Sequence, residues 1–267
     1  MQADYHMHTA FSLDSEADPE SMIRGAIKKK LKRICITDHE DHGYIYEGEE
    51  FTFNVKNYFQ TLKMLQEKYK DQIDVRIGVE IGLQPDLGEY YHEYVNQWPF
   101  DFVIGSVHLI DGKDPYDQEL FEHQSDEEAY RQTFIETLED IKVTEDFDVL
   151  GHMDYVVRYG KYRDEEYAYA KFSDEIDAVL KYLIEHGKGI ELNTSGLKYG
   201  LPFAHPCPEI LKRYKELGGE IVTIGADAHK PEHVAYDFGK VKSILEDCGF
   251  KYYTEFLKRK PVFKQVT

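Results

Sequence analysis

Seven short β-rich runs alternate with stretches of helical periodicity along this 267-residue chain, and this alternation constrains the fold more than any other feature. The predicted strands are 3–8, 33–37, 73–81, 101–109, 147–152, 189–194 and 221–226. Strands that alternate with helices form a parallel sheet covered by helices, because each helix carries the chain back to the start of the next strand. Seven such strands favour a closed barrel over an open sheet.

The helical stretches place apolar residues on one face. Asp18-Pro19 is typical of a helix N-cap followed by proline at the first helical position. Apolar residues at helical spacing follow this pair, and the same spacing recurs in 59–69, 176–183 and 210–217. These patterns supply the helices that a parallel sheet requires.

No proline-rich or low-complexity linker divides the chain, so we predict a single domain over residues 1–267. Three connections are longer than the rest, namely 40–54, 110–125 and 155–172. Long connections in a compact domain are usually functional or mobile. The third one mixes aromatic and basic residues, and it begins close behind a histidine in the fifth predicted strand.

Charge and cysteine content exclude several classes of protein. The net charge is −19, from 51 acidic and 32 basic residues, and a field of this sign repels nucleic acid. No apolar run approaches the length of a membrane span, and the first residues do not resemble a secretory signal. The three cysteines lack paired close spacing, which is typical of a reducing compartment. We expect a cytoplasmic protein without a nucleic-acid or membrane partner.

Polar side chains recur where the predicted strands end. His6 and His8 stand two residues apart in the first strand, so period-2 geometry sends both imidazoles to the same face. Further imidazoles and carboxylates follow later strands, namely His39, Glu80, His108, His152, Asp227 and His229. In a barrel these ends point toward one face, where the active sites of such folds lie.

Imidazoles and carboxylates without cysteine suit zinc, iron or manganese in sites that are open to water. The set is larger than one ion needs, so two or three ions are expected, with a carboxylate such as Glu80 as a bridge. Metal pairs about 3.5–4 Å apart stabilise the attacking and leaving oxygens in phosphoester cleavage. The pattern therefore indicates a metal-assisted site.

This series of motifs resembles that of the polymerase and histidinol phosphatase (PHP) superfamily. The matching segments are His6-x-His8-Thr9, Thr37-Asp38-His39, Gly78-x-Glu80, Ser106-x-His108, Gly151-His152 and Ala226-Asp227-Ala228-His229. The chain length and the Gly-His-Met-Asp form of the fifth motif are similar to the stand-alone histidinol-phosphate phosphatase branch. The resemblance implies a distorted (β/α)7 TIM-like barrel. It also implies three divalent transition-metal ions (Zn, Fe or Mn) at the C-terminal ends of the strands.

The resemblance further implies which residues would hold each ion. The ligands of the first ion would be His6, His8, Glu80 and Asp227. Those of the second would be Glu80, His108 and His152. The third would be bound by His39, His229 and Asp14, and Asp14 stands where the family often has histidine.

The implied reaction is attack on phosphorus by a hydroxide that bridges two ions, whose charge lowers the pKa of water. The implied substrate is L-histidinol phosphate, which would be hydrolysed to L-histidinol and phosphate in histidine biosynthesis. Asp154 and His42 are candidates for the group that protonates the leaving alkoxide. Each is close in sequence to a ligand and can carry a proton.

Other residues are expected to assist. Arg158 is the candidate for binding phosphate, because a guanidinium presents a fork of donors that matches phosphate oxygens. Ser195 could donate a further hydrogen bond there, and His42 could contact the substrate. Thr9, Asp38 and Glu191 are expected to orient or support metal ligands. The histidines that fit no motif are expected to be surface or structural residues, and they are His92, His123, His186, His205 and His233.

Two alternatives stay open. A phosphatase or phosphodiesterase of the same family would act on nucleotides, nucleic-acid ends or other small phosphoesters, although the negative charge weighs against nucleic acid. A non-catalytic metal-binding barrel is the other alternative. It would be expected to lack some ligands, whereas the set in this chain is complete.

Overall fold

The structure, a computed structural model, describes residues 1–266. The strands in this range are β1 Ala3–Asp4, β2 Arg33–Ile36, β3 His39–Glu40, β4 Ile45–Tyr46, β5 Glu49–Glu50, β6 Asp74–Gly82, β7 Phe102–Ser106, β8 Val149–Leu150, β9 Gly189–Asn193, β10 Val222–Gly225, β11 Tyr252–Leu257 and β12 Lys260–Gln265. The helices are α1 Pro19–Lys28, α2 Val55–Tyr69, α3 Gly88–Gln97, α4 Asp126–Val143, α5 Ser173–Glu185, α6 Ser195–Lys198, α7 Pro208–Glu216 and α8 Phe238–Asp247.

Seven of these strands form a parallel sheet in the order β1-β2-β6-β7-β8-β9-β10. Hydrogen bonds between the two ends of this order bring the sheet round on itself. Tyr5 N donates to Ile224 O at 2.9 Å, and His8 N donates to Ala228 O at 2.9 Å. The predicted seven-stranded β/α barrel is therefore confirmed.

The barrel is distorted where β2 breaks off. The chain leaves the strand at Thr37-Asp38 and then pairs with β6 again as β3, in register His39↔Glu80. The residues after β1 also depart from regular strand geometry, so the predicted strand 3–8 is regular only over Ala3–Asp4. These irregular segments carry site residues.

Local signals explain the helix that follows the first strand. Asp18 caps α1 by accepting a hydrogen bond from Ser21 N at 3.0 Å, and Pro19 occupies the first turn, as predicted. Met22 and Ile23 are fully buried against the barrel. No helix among residues 1–266 is both long and apolar enough to cross a membrane.

A C-terminal hairpin, β11-β12, covers the N-terminal ends of the barrel strands. The Phe256 ring packs 5.0 Å from that of Phe102, and Tyr5 Oη donates to Phe256 O at 2.9 Å. Arg259 Nε donates to Asp148 Oδ2 at 2.6 Å, beside the start of β8. The hairpin closes this end of the barrel, which leaves the opposite end for the functional site.

Candidate metal centre

Glu80, in the C-terminal part of β6, is the centre of a buried cluster of imidazoles. Its Oε2 lies 3.0 Å from His6 Nε2, 3.4 Å from His8 Nε2 and 3.3 Å from His39 Nδ1. The barrel brings these residues together because β1, β3 and β6 end at the same face. Glu80, His6 and His8 have no solvent exposure.

The other carboxylate oxygen of Glu80 faces two further histidines. Its Oε1 lies 3.3 Å from His108 Nε2 and 3.0 Å from His152 Nε2. Ser106 Oγ donates a hydrogen bond of 2.6 Å to the same oxygen. Glu80 thus stands between the two ligand sets that the sequence predicts for the first and second ions.

The predicted ligands of the third ion meet at the edge of this cluster. His229 Nε2 lies 2.8 Å from Asp14 Oδ2, and His39 Nε2 lies 3.9 Å from the same oxygen. Asp227 connects this group to the rest, since its Oδ1 is 3.4 Å from His8 Nε2 and 3.5 Å from His229 Nδ1. All nine predicted ligands therefore converge at one end of the barrel.

Burial and neighbouring charges shift the pKa values of several groups in the cluster. Burial alone would raise the pKa of Glu80, but the charges of His6 and His39 hold it well below its usual range. Burial alone would lower the pKa of His39, but the carboxylates of Glu80 and Asp14 raise it to about 9. Burial lowers the pKa of His8 to about 3, and the charges of His39 and His229 act in the same direction.

These residues fit metal ions. His6 Nε2 and His8 Nε2 lie 3.0 Å apart and both face Glu80, so three electron-pair donors converge on one point. A cation satisfies such a set without protons, and imidazole with carboxylate is the ligand type of zinc, iron and manganese sites. Ligand atoms within 4.8 Å of one another form four groups, namely His8-His39-His229, His6-His8-Glu80, His39-Asp41-His108 and Glu80-His108-His152.

Carboxylates outside the ligand set hold the imidazoles in place. Glu191 Oε1 lies 2.7 Å from His6 Nδ1, and its Oε2 accepts a hydrogen bond from His152 N at 3.1 Å. Asp38 Oδ1 accepts hydrogen bonds from Thr9 N at 2.6 Å and from Ser12 Oγ at 2.7 Å. The contacts of Glu191, Asp38 and Thr9 are those of the supporting roles that the sequence predicts.

Asp41 is a buried member of the cluster that the sequence did not indicate. Its Oδ1 lies 2.7 Å from His108 Nδ1 and its Oδ2 lies 3.1 Å from His39 Nδ1. The spacing His39-x-Asp41 on an extended backbone was the available signal, because period 2 directs both side chains to one face. Without a structure, this carboxylate could not be distinguished from an ordinary loop aspartate.

Arg158 lies beside the cluster in a cage of tyrosines. Its guanidinium carbon is 5.2 Å from the Tyr155 ring centroid, 5.3 Å from that of Tyr159 and 4.5 Å from that of Tyr199. Its side chain is only 9% exposed, Nη2 is 4.0 Å from Asp227 Oδ2, and Nε has no hydrogen-bond partner among residues 1–266. A buried cation with a free donor next to a metal centre is suited to binding an anion.

The two candidate proton donors occupy different surroundings. Asp154 is fully buried, and its oxygens lie 2.6 Å from His205 Nδ1, 3.1 Å from Tyr167 Oη and 2.8 Å from Cys207 N. Both oxygens are thus engaged away from the Glu80 cluster. His42 has a partly exposed side chain, stacks on Tyr90 and lies 2.9 Å from Glu50 through Nδ1.

The remaining predicted residues divide between the interior and the surface. Ser195 is fully buried at the start of α6, and its Oγ lacks a hydrogen-bond partner within residues 1–266. His205 is fully buried as well, whereas His92, His123 and His186 are exposed and His233 is half-buried. His205 reaches the site region through Asp154, two residues after the predicted ligand His152.

A parallel β/α barrel with clustered imidazoles and carboxylates at the C-terminal ends of its strands defines the class of metal-dependent barrel hydrolases. Within this class the chain belongs to the PHP domain family, whose model matches residues 4–195. The motif series identified in the sequence is the part of the chain that forms the cluster.

Relatives extend the similarity over nearly the whole chain. A probable histidinol-phosphatase of Clostridium acetobutylicum is 36% identical over 94% of this chain and 95% of its own length. The histidinol-phosphatase of Lactococcus lactis is 33% identical over 92% and 91%. A crystal structure of histidinol phosphate phosphatase from Lactococcus lactis, complexed with zinc, L-histidinol and phosphate, superposes with a TM-score of 0.89. It is 32% identical and covers 98% of both chains.

Proposed function

We propose that this PHP-family protein is a metal-dependent phosphomonoesterase that hydrolyses L-histidinol phosphate to L-histidinol and phosphate. The observation that carries the proposal is the convergence of nine predicted ligands around Glu80 in the open end of the barrel. Relatives named as histidinol-phosphatases, similar over more than nine-tenths of the chain, support the substrate. The ligands in the Lactococcus lactis structure support it as well.

The proposed centre contains three divalent transition-metal ions, which are Zn, Fe or Mn. Their ligands are His6, His8, Glu80 and Asp227 for the first, Glu80, His108 and His152 for the second, and Asp14, His39 and His229 for the third. When bound, such ions supply positive charge for the phosphate oxygens and lower the pKa of a water toward neutrality. The zinc in the Lactococcus lactis structure supports zinc as one of the three.

Arg158 binds a phosphate oxygen in this proposal. Its guanidinium already lies against Asp227, and the surrounding tyrosine rings of Tyr155, Tyr159 and Tyr199 hold it by cation–π contacts. The charge is preorganised, so little conformational entropy is lost when an anion arrives. The free hydroxyl of Ser195 is the candidate for a further hydrogen bond to phosphate.

Protonation of the leaving oxygen involves Asp154 or His42. The oxygens of Asp154 contact His205 Nδ1, Tyr167 Oη and Cys207 N, so His42 is the more accessible of the two. His42 is on the loop after β3 and is partly exposed, so it can meet the organic part of a substrate. We further propose that the protein is a cytoplasmic enzyme of histidine biosynthesis. Its three buried free cysteines support this location, because free thiols suit a reducing compartment.

Phosphate release by protein of measured metal content tests this function. The substrates are L-histidinol phosphate, a nucleoside monophosphate and a single-stranded oligonucleotide. We expect clear preference for L-histidinol phosphate and at least a 10³-fold loss of kcat/KM in His108→Ala, since a metal ligand is removed. His123→Ala is the matched control, because the His123 side chain is 93% exposed. A panel without preference would overturn the substrate, and unchanged activity in His108→Ala would overturn the metal mechanism.

A further inference from the structure

Asp41 contacts imidazoles from two different ligand sets of the proposed metal centre. It is only 2% exposed, and its backbone N donates to Phe51 O at 2.9 Å, which anchors it at the start of the 40–54 loop. Its two oxygens point to His108 Nδ1 at 2.7 Å and His39 Nδ1 at 3.1 Å. In the ligand sets above, His108 belongs to the second ion and His39 to the third.

The opposite nitrogens of these two rings face the metal ligands. His108 Nε2 lies 3.3 Å from Glu80 Oε1, and His39 Nε2 lies 3.9 Å from Asp14 Oδ2. A histidine that binds metal through Nε2 must carry its proton on Nδ1, and an acceptor beside Nδ1 fixes that tautomer. A carboxylate is an acceptor at both oxygens, so one aspartate can serve two imidazoles.

The His39 contact differs from that of His108. The His39 Nδ1 and Asp41 Oδ2 atoms are close, yet they are not aligned for a hydrogen bond and have no other hydrogen-bond partner within residues 1–266. Glu80 Oε2, at 3.3 Å, is the other acceptor near this nitrogen, and it also faces His6 and His8. Asp41 is therefore the acceptor that is closer to His39 Nδ1.

The absence of a side chain at Gly82 leaves space for the Asp41 carboxylate. A Cβ on Gly82, at the end of β6, would lie 1.8 Å from Asp41 Oδ1 and 2.7 Å from its Cγ. The carboxylate thus fills space that a side chain would otherwise occupy, directly beside the strand that carries Glu80. Its position is set by packing as well as by its two imidazole partners.

We propose that Asp41 is a positioning residue that couples the second and third metal subsites, by holding His108 and His39 in the tautomer that binds metal through Nε2. This inference rests on the proposed metal centre and assigns a role to a residue outside the family motifs. Loss of Asp41 then weakens two ions together, although the residue itself binds neither.

The test measures metal stoichiometry and stepwise affinity by titration against a chromogenic chelator, with elemental analysis of the dialysed protein. In Asp41→Ala, both ions should bind 10- to 100-fold more weakly, as expected for loss of a carboxylate that contacts the ring nitrogen of a ligand opposite the metal. Asp41→Asn keeps the shape but offers one acceptor oxygen, so it should weaken mainly the ion at His39, whose contact is the less well aligned. His39→Ala is the matched control, which should lose the third ion and keep the second.

The possible outcomes separate the coupling from the function. Unchanged affinities in Asp41→Ala, or the weakening of a single ion, would overturn the coupling even if the wild-type protein hydrolyses L-histidinol phosphate. Joint weakening of two ions supports it even in a wild-type protein that proves inactive on that substrate. A fourth ion in the wild type, lost in Asp41→Ala, would make Asp41 a ligand and would also overturn the positioning role.

Discussion

Two glycines leave room for the carboxylates that orient the imidazoles. A Cβ on Gly225 would lie 2.2 Å from Glu191 Oε1 and 2.4 Å from His6 Cβ, and Gly82 stands in the same relation to Asp41. Real side chains cannot approach so closely, so a larger residue at either position must displace the carboxylate. At the scale of single residues, the proposed metal ligands thus depend on neighbours outside the proposed ligand set.

Replacement of Glu191 by alanine tests this dependence at His6. The carboxylate accepts the Nδ1 proton of His6 and fixes the ring so that Nε2 faces Glu80. We expect Glu191→Ala to bind metal 10- to 100-fold more weakly, as measured by elemental analysis and chelator competition. Glu185→Ala, at an exposed carboxylate near the end of α5, is the control. Full metal content in Glu191→Ala after dialysis would refute the supporting role.

The sequence pointed to the residues that cluster around Glu80 more completely than to the residues that contact them. Imidazoles that follow successive strands can be recognised in the sequence, because barrel topology brings strand ends together whatever lies between them. Asp41 gave only the weak signal of its spacing from His39, and His205 gave none. The role of Asp41 depends on the break between β2 and β3, and His205 reaches Asp154 from a loop that is 51 residues away in sequence. Contacts of this kind follow from three-dimensional packing and not from periodicity.

At the scale of elements, the seven barrel strands were predicted, and the hairpin β11-β12 was missed. Its turn residues Lys258 and Arg259 both have positive φ, as in a type I′ turn, but such turns usually contain glycine or asparagine. Helix α4 was missed as well. Its buried face includes polar residues such as Thr133 and Thr137, whose hydroxyls donate to backbone carbonyls one turn earlier. These residues dilute the apolar pattern from which helices are recognised.

Helix α4 also contains a buried carboxylate whose ionisation opposes folding. Burial, reinforced by the negative charges of Glu136 and Glu139, raises the pKa of Asp140 from its usual 3.8 to about 7. The native state therefore holds this proton more tightly than the unfolded chain, so stability is lost as the pH rises from about 4 through about 7. Asp140→Asn removes this loss.

We expect Asp140→Asn to raise the free energy of unfolding at pH 8 by up to about 4 kcal/mol, which corresponds to a shift of about three pH units in pKa. At pH 4 the variant and the wild type should be nearly equal. Urea unfolding at the two pH values measures the difference. Glu185→Gln, at an exposed carboxylate near the end of α5, is the control and should change little. Equal stabilisation at both pH values would show that ionisation of Asp140 is not responsible for the difference in stability.

At the scale of the whole molecule, the barrel concentrates its buried imidazoles at one end. The opposite end is closed by the hairpin through apolar contacts such as Phe256 on Phe102 and through the pair Arg259–Asp148. The open end holds the carboxylates of Glu80 and Asp227, whose pKa values lie well below their usual range because imidazoles surround them. In the metal-free protein, protons on those imidazoles supply the positive charge that ions supply in the loaded one.

Removal of the metal ions should therefore destabilise the protein in a pH-dependent way. The pKa of His39 is raised to about 9, so its proton stabilises the metal-free fold fully below about pH 6.5, and this contribution is lost as the pH rises through 9. Ions bind to neutral imidazoles, so their affinity rises over the same range. The stabilisation by bound metal is thus expected to be larger at pH 9 than at pH 6.5.

Thermal unfolding of metal-loaded and chelator-treated protein at these two pH values measures the effect. Where free metal exceeds the dissociation constant about 100-fold, each ion adds about 2.7 kcal/mol, or roughly 5–10 °C in Tm for a chain of this size. Glu191→Ala should show a smaller difference at both pH values, since its metal affinity is reduced. A Tm difference that is independent of pH would mean that protons do not replace the ions in the empty cluster. The convergence of acids and imidazoles around Glu80 would then be stabilised by packing alone.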